Sequence, residues 1–271
     1  RDAVKAAAFA TENGIAQSFG SYEAMLANPT IEAIYNPLPN GLHAEWTIKA
    51  ANAGKHVLCE KPFAANSAET KAMFDAATAN KVYVVEAYPY RAQRQTIKLA
   101  ELLHEGAIGK VQLIQASFGF PLAVSGNIRW NPALAGGALM DAGSYPVSLV
   151  RMIAGERPTR VHAMARFADT GVDHTLVGTI DFPGGVLAQI SCSFGTARHR
   201  HALIVGDKGT IETTYYNDTS DKLPPQIVIK RSSALDAPRE IIECAAAAGF
   251  RAQGEAFHDL VRNGWARWPG A

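Results

Sequence analysis

The rhythm of apolar and polar positions changes once along the chain, near residue 90. Before that point, IEAIYNPLP (31 to 39) is β-branched and apolar up to a proline-rich turn, and HAEWTIKAANAGK (43 to 55) has helical spacing ending at Gly54. HVLCEKP (56 to 62) reads as a strand again; Ser67 opens a helix that carries Thr70 and Met73 and runs to Asn80. VYVVEA (82 to 87) is a further continuous, buried strand. Strand, helix, strand, helix, strand predicts parallel crossovers. RDAVKAAAFATENG, at the start, predicts a helix stopped by Asn13 and Gly14, an element that belongs in mid-protein and suggests a chain that starts late.

Beyond residue 90, QRQTIKLAELLHEGAIG is one amphipathic helix, and strand patterns then dominate. VQLIQASFGF (111 to 120), TRVHAMARFA (159 to 168), HTLVGTIDF (174 to 182), VLAQISCSF (186 to 194), HALIVGD (201 to 207) and GTIETTYY (209 to 216) alternate or run apolar. Pro183, Gly184 and Gly185 mark one hairpin, and Gly206 to Gly209 mark another. The segment 139 to 155, LMDAGSYPVSLVRMIAG, is a helix interrupting the strands. The expected fold is α/β: a parallel-sheet domain over 1–92, followed over 93–271 by an α+β domain with a large, mostly antiparallel open sheet.

At 271 residues, 48% hydrophobic, 19% charged and net charge +1, the chain lacks the charge surplus that attaches proteins to nucleic acid or membrane surfaces. Cys59, Cys192 and Cys244 are far apart, without zinc or redox spacing, and read as small buried hydrophobes in a reducing compartment. With no bilayer-length apolar stretch and no signal-peptide core in the first residues, the expectation is a cytoplasmic protein.

In an open parallel sheet, ligands gather outside the carboxyl ends of the strands. Three unusual loops fall there: NPLPNGLH (36 to 43), CEKPFA (59 to 64) and EAYPYR (86 to 91). Pro62 disfavours helical geometry at Lys61, so the lysine is expected extended at a strand tip, able to orient a substrate hydroxyl and lend charge to a base. The plainer alternative is a solvated lysine closing a strand.

HAEWTIKAANAGKHVLCEKPFAANSAET resembles the signature stretch of the glucose-fructose oxidoreductase, inositol dehydrogenase and MocA family. The likeness is carried further by YNPLPNGLHAEW, EGAIGKVQLIQASF, NIRWNPALAGGALMDAGSYPVSLV and GVDHTLVGTIDFPGG, in the family's order. It implies a Rossmann domain binding NADP or NAD, then an α+β domain whose open sheet joins copies into a dimer or tetramer. Lys61 then matches the family's catalytic lysine, with Glu60 and Pro62 beside the nicotinamide. Asn36, Pro37, Leu38, Pro39, Asn40 and His43 match the loop against the adenosine and pyrophosphate portion. Asp141 and Tyr145 match polar positions facing the substrate, and tyrosine at 145 resembles the dihydrodiol and D-xylose dehydrogenase branch. Arg1 aligns with an arginine that meets the 2′-phosphate, which favours NADP over NAD.

The proton chemistry has its own logic. Oxidising an alcohol needs a hydride acceptor and a base, and an ammonium beside a phenol favours the phenolate. Lys61 and Tyr145 are therefore expected to handle the proton of a sugar or diol, with Asp141 binding another hydroxyl or holding the lysine. Asp141 and Tyr145, four apart, share a helical face if the helix already runs there, but Pro146 argues for a start near Ser144 or a kink. Arg129, before Gly136 and Gly137, is a candidate to reach the cofactor or a substrate oxygen, against the alternative of a surface arginine. His199 and His201 point to one face of a strand without a third ligand, so no metal is expected. Trp130 and Phe118 are candidates for a sugar pocket, with core packing the commoner use.

The phosphate-cradling GxGxxG expected on a first strand-to-helix turn does not occur, so the Rossmann sheet is expected to be incomplete and the chain a fragment. That absence sustains a second reading, a nucleotide-binding homologue without turnover. A third keeps the fold but reduces keto-sugars or cleaves glycosides with NAD assistance.

Overall fold

A computed structural model describes residues 2–123, 126–222 and 224–265, and the chain divides into two compact units between Glu86 and Ala87.

The first unit opens on α1 (Ala3–Glu12), capped by the Asp2 carboxylate, which accepts from the Lys5 amide, and α2 (Tyr22–Leu26), capped by the Ser21 hydroxyl. Then come β1 (Ala33–Asn36), α3 (His43–Asn52), β2 (His56–Glu60), α4 (Ser67–Asn80) and β3 (Val84–Ala87). The strands form a parallel sheet in the order β1-β2-β3, with Asn36 opposite Cys59 at the carboxyl end. Val57 and Cys59 of β2 are fully buried against Met73 and Ala77 of α4, which explains the unbroken apolar run read in the sequence. Asn66 caps α4 by accepting from the Glu69 amide, while the Glu69 carboxylate accepts from the Ala65 amide.

The second unit contains α5 (Arg94–His104), β4 (Val111–Gly119), α6 (Ser144–Ala154), β5 (Arg160–Phe167), β6 (Asp173–Asp181), β7 (Leu187–Ser193), β8 (His199–Gly206), β9 (Thr210–Thr213), β10 (Gln226–Lys230), β11 (Glu240–Glu243) and α7 (Gly249–Asn263). Eight strands form one sheet in the order β11-β10-β9-β8-β4-β7-β6-β5, its neighbours antiparallel except β4 with β7. Both expected hairpins are present, joining β6 to β7 and β8 to β9. The second needs its glycines, since a Cβ on Gly206 would stand 2.0 Å from the Ile108 carbonyl oxygen and one on Gly209 would stand 2.1 Å from that of Lys230. Strands β10 and β11 and helix α7 lie beyond the patterns read in the sequence.

One face of this sheet packs on α5 and α6 through Leu99, Ile114, Leu149, Ala202 and Ile204, all nearly inaccessible. The other face stays open. It exposes Met164, Val177 and Leu187, with Met164 68% accessible.

Candidate active site

In the first unit, the carboxyl ends of β1 and β2 carry two loops that one side chain ties together. His43 is fully buried, its Nδ1 2.8 Å from the Pro62 carbonyl oxygen and its Nε2 2.6 Å from that of Leu38. Asn36, buried at the end of β1, donates to Thr47 Oγ1 at 3.1 Å and accepts from the Leu38 amide. Pro37, Leu38 and Pro39 lead from it into a short 3₁₀ turn beginning at Asn40. The interior of the pair of loops is thus built by Asn36 and His43, and its rim by Pro37, Leu38, Pro39 and Asn40.

Lys61 sits half-buried just past β2, and the Lys61–Pro62 peptide is cis. The Lys61 amide donates to Glu60 Oε2, the Phe63 amide donates to Glu86 Oε1 at 2.8 Å, and the Pro62 carbonyl faces His43. Glu60 in turn accepts from the Tyr35 hydroxyl. Cys59, immediately before this turn, is a buried free thiol that burial pushes up to about 12, so it serves as packing.

In the second unit, Leu139–Gly143 is a π-helical turn that runs directly into α6. This resolves the question posed by Pro146: the helix proper begins at Ser144, and Pro146 lies in its first turn. Asp141, buried, accepts from Arg129 Nε at 2.7 Å. Gly136 lets that arginine's backbone approach, since a Cβ there would lie 2.4 Å from the Arg129 carbonyl oxygen. Asp173 anchors the turn by accepting from the Leu139 amide at 2.6 Å; its burial raises its pKa, and that amide opposes the rise.

Tyr145 is 5% accessible and its oxygen accepts from Asn217 Nδ2 at 2.9 Å. Around it stand the rings of Tyr88, Tyr90 and Phe118, and the guanidinium carbon of Arg200 lies 4.0 Å from the Tyr145 ring centre. Arg200 is 4% accessible; burial lowers its pKa, against which Tyr145, Tyr215 and Tyr90 act. Tyr215 is raised by the same burial.

The sequence reading attended to His199 and His201 and passed over the residue between them. Alternation on β8 turns His201 to the open face and Arg200 into the core, and this parity was the available signal. Asn217 carried no motif and was missed, and Glu86, which opens the EAYPYR loop, was given no role. No cluster of His, Cys, Asp or Glu suited to a metal occurs among the described residues. No helix among them is long and apolar enough to cross a membrane. Trp130 packs in the core on Phe194, its indole N–H donating to the Ala123 carbonyl. Arg1 lies outside the described residues.

Comparisons with known proteins fit this architecture. A family model described as an oxidoreductase family with an NAD-binding Rossmann fold matches residues 1–88, and one described as the GFO/IDH/MocA C-terminal domain matches 96–212. The chain is 41% identical over 214 residues to a D-xylose 1-dehydrogenase (NADP(+)) of Haloferax volcanii, covering 78% of this chain and 65% of that protein, just under two thirds of its length. It is 36% identical over 266 residues to an uncharacterised oxidoreductase of Rhizobium meliloti, covering 97% of this chain and 80% of that one. A solved 3-ketoreductase of Actinomadura kijaniata, in complex with NADP and TDP-benzene, superposes with a TM-score of 0.86 at 27% identity, covering 98% of this chain and 80% of that chain.

Proposed function

The chain belongs to the GFO/IDH/MocA oxidoreductase family, and on that premise we propose that it moves a hydride between NADP(H) and the carbinol or carbonyl carbon of a sugar or diol, with Lys61 and Tyr145 handling the proton. The observation that carries the proposal is the Tyr145 phenol, buried among aromatic rings and held in one orientation by the Asn217 amide at its oxygen.

The first unit suits a dinucleotide because its loops at the strand ends are already braced by His43 and Glu86, so little order remains to be imposed on binding. Asn36, Pro37, Leu38, Pro39, Asn40 and His43 form the loop against the adenosine and pyrophosphate portion, Glu60 and Pro62 border the nicotinamide, and Arg1 meets a 2′-phosphate. The bound nicotinamide supplies the hydride acceptor or donor. Oxidation removes a hydride from the carbinol carbon and a proton from its hydroxyl, and Tyr145 Oη takes that proton. Lys61 lends positive charge that favours the phenolate, and reduction of a carbonyl runs the same transfers backwards. Asp141, oriented by Arg129, accepts a hydrogen bond from a neighbouring substrate hydroxyl. The D-xylose relative and the ketoreductase neighbour, each named with NADP, support this substrate class and coenzyme.

The test is turnover of D-xylose and of a trans-dihydrodiol with NADP⁺ and NAD⁺, followed by nicotinamide absorbance. Faster reduction of NADP⁺ is expected; no reduction with any sugar or diol, in either direction, sinks the proposal. The open sheet face, with Met164 68% and Val177 52% accessible, further supports association of copies through it. Light scattering should then report more than one chain per particle, and a monomer at micromolar concentration would remove that part.

A further inference from the structure

We propose that Asn217 is a positioning residue for the Tyr145 phenol, with its side-chain amide oriented by Arg200. The proposal rests on the reading of Tyr145 as the proton-handling group.

An arginine side chain offers donors only, so the group facing it across a hydrogen bond must accept. Arg200 Nη1 lies 3.3 Å from the Asn217 side chain, which requires the amide oxygen on that side and leaves the NH₂ on the other. That NH₂ stands 2.9 Å from Tyr145 Oη. The phenol oxygen therefore receives a hydrogen bond from Asn217, and its own O–H points elsewhere. A tyrosine so held keeps its oxygen in one orientation, and when the phenolate forms a donor already aims at the charge.

Arg200 makes little sense as a stabilising residue. Its Nε and Nη2 meet no acceptor among the described residues, and burying a cation without a carboxylate is costly. What surrounds it is aromatic: Tyr145 at 4.0 Å, Tyr215 at 4.6 Å, Phe118 at 4.9 Å and Tyr90 at 5.5 Å from the guanidinium carbon. Ring faces hold the cation without competing for its hydrogen bonds, leaving Nη1 to set the amide. An apolar side chain would fill the same space more cheaply and orient nothing.

Asn217 is itself anchored. Its backbone carbonyl accepts from the buried Gln93 side chain, and the neighbouring Asp218 carboxylate accepts from the Gly249 amide at 2.9 Å. Gly249 makes room for this, because a Cβ there would stand 1.9 Å from the Asn217 carbonyl oxygen. The amide is consequently fixed at both ends and along the backbone.

Asn217→Asp and Asn217→Ala distinguish a donor from a packing role. Aspartate keeps the shape and still accepts from Arg200, but it sets a negatively charged acceptor against the phenol oxygen and so disfavours the phenolate that takes the substrate proton. Alanine removes more atoms but adds no negative charge. With NADP⁺ and D-xylose, kcat should fall about a hundredfold in Asn217→Asp and about tenfold in Asn217→Ala, with the KM for NADP⁺ unchanged. A residue that only packs would give the opposite order. In parallel, carbon-13 labelling at tyrosine Cζ, with the Tyr145 signal identified by its loss in Tyr145→Phe, should show that signal displaced in both variants. This measurement decides the matter even if D-xylose is not turned over. An undisplaced signal, or Asn217→Asp as active as the parent while Tyr145→Phe is inactive, overturns the inference alone. Full turnover in Tyr145→Phe overturns instead the reading on which it rests.

Discussion

Replacing Tyr145 by phenylalanine is expected to lower kcat roughly a thousandfold, within the range that positioned proton transfer contributes, while leaving coenzyme affinity where it was. The substitution removes one oxygen and keeps the ring, so the contacts with Tyr88 at 5.4 Å and Phe118 at 5.6 Å between ring centres survive. Its structural cost is the Asn217 NH₂ left without its acceptor, about 1–3 kcal/mol for a buried donor. A domain of this size tolerates that loss, so the variant should fold with a modestly lower Tm and remain measurable. The coenzyme is read to bind through the segment matching the NAD-binding model, residues 1–88, which excludes Tyr145. Steady-state turnover and an NADPH fluorescence titration on the same preparation separate the two effects. Unchanged kcat removes Tyr145 from the proton path; a parallel collapse of coenzyme binding means the loss is one of structure.

The sheet-forming rhythm was legible because burial imposes it. The run HVLC in β2 is apolar throughout since both faces of a parallel strand are covered, and β7 alternates since one face of its sheet is open. β11 escaped because it is mostly exposed, so no apolar period marks it, while β10 carries an alternation, with Ile227 and Ile229 buried, that was passed over. The pairing of β4 with β7, parallel inside a sheet otherwise antiparallel, is settled by tertiary neighbours that a local pattern does not encode. In the site, Lys61 stood out through the proline after it and Tyr145 through a family motif. Arg200 was hidden between two histidines that drew the attention, and Asn217 acquires meaning only from being folded beside a phenol 72 positions away. The four-residue spacing of Asp141 and Tyr145 left their shared face open, and the structure puts Asp141 in a π turn that gives way to α6 at Ser144.

Lys61→Met should lower kcat by a similar factor, about a thousandfold, and the structure allows this variant to be read as a loss of charge. The turn that carries the lysine is held by backbone bonds to Glu60, His43 and Glu86, none of which involves the ammonium group. Methionine has similar length and flexibility, so the fold and the Pro62 turn should persist, as a thermal melt would verify. The charge itself can be put back. Lys61→Cys alkylated with bromoethylamine regenerates an ammonium on a side chain close to lysine in length. The three native thiols are buried, and burial pushes Cys59 and Cys192 up to about 12, so in the folded protein the thiol introduced at position 61 is the one that reacts. Recovery of turnover on alkylation assigns the effect to the ammonium at the end of β2. Full activity in Lys61→Met, or an alkylated variant as inactive as its parent thiol, would refute the lysine's part in the proton transfer and leave it as a polar residue closing a strand.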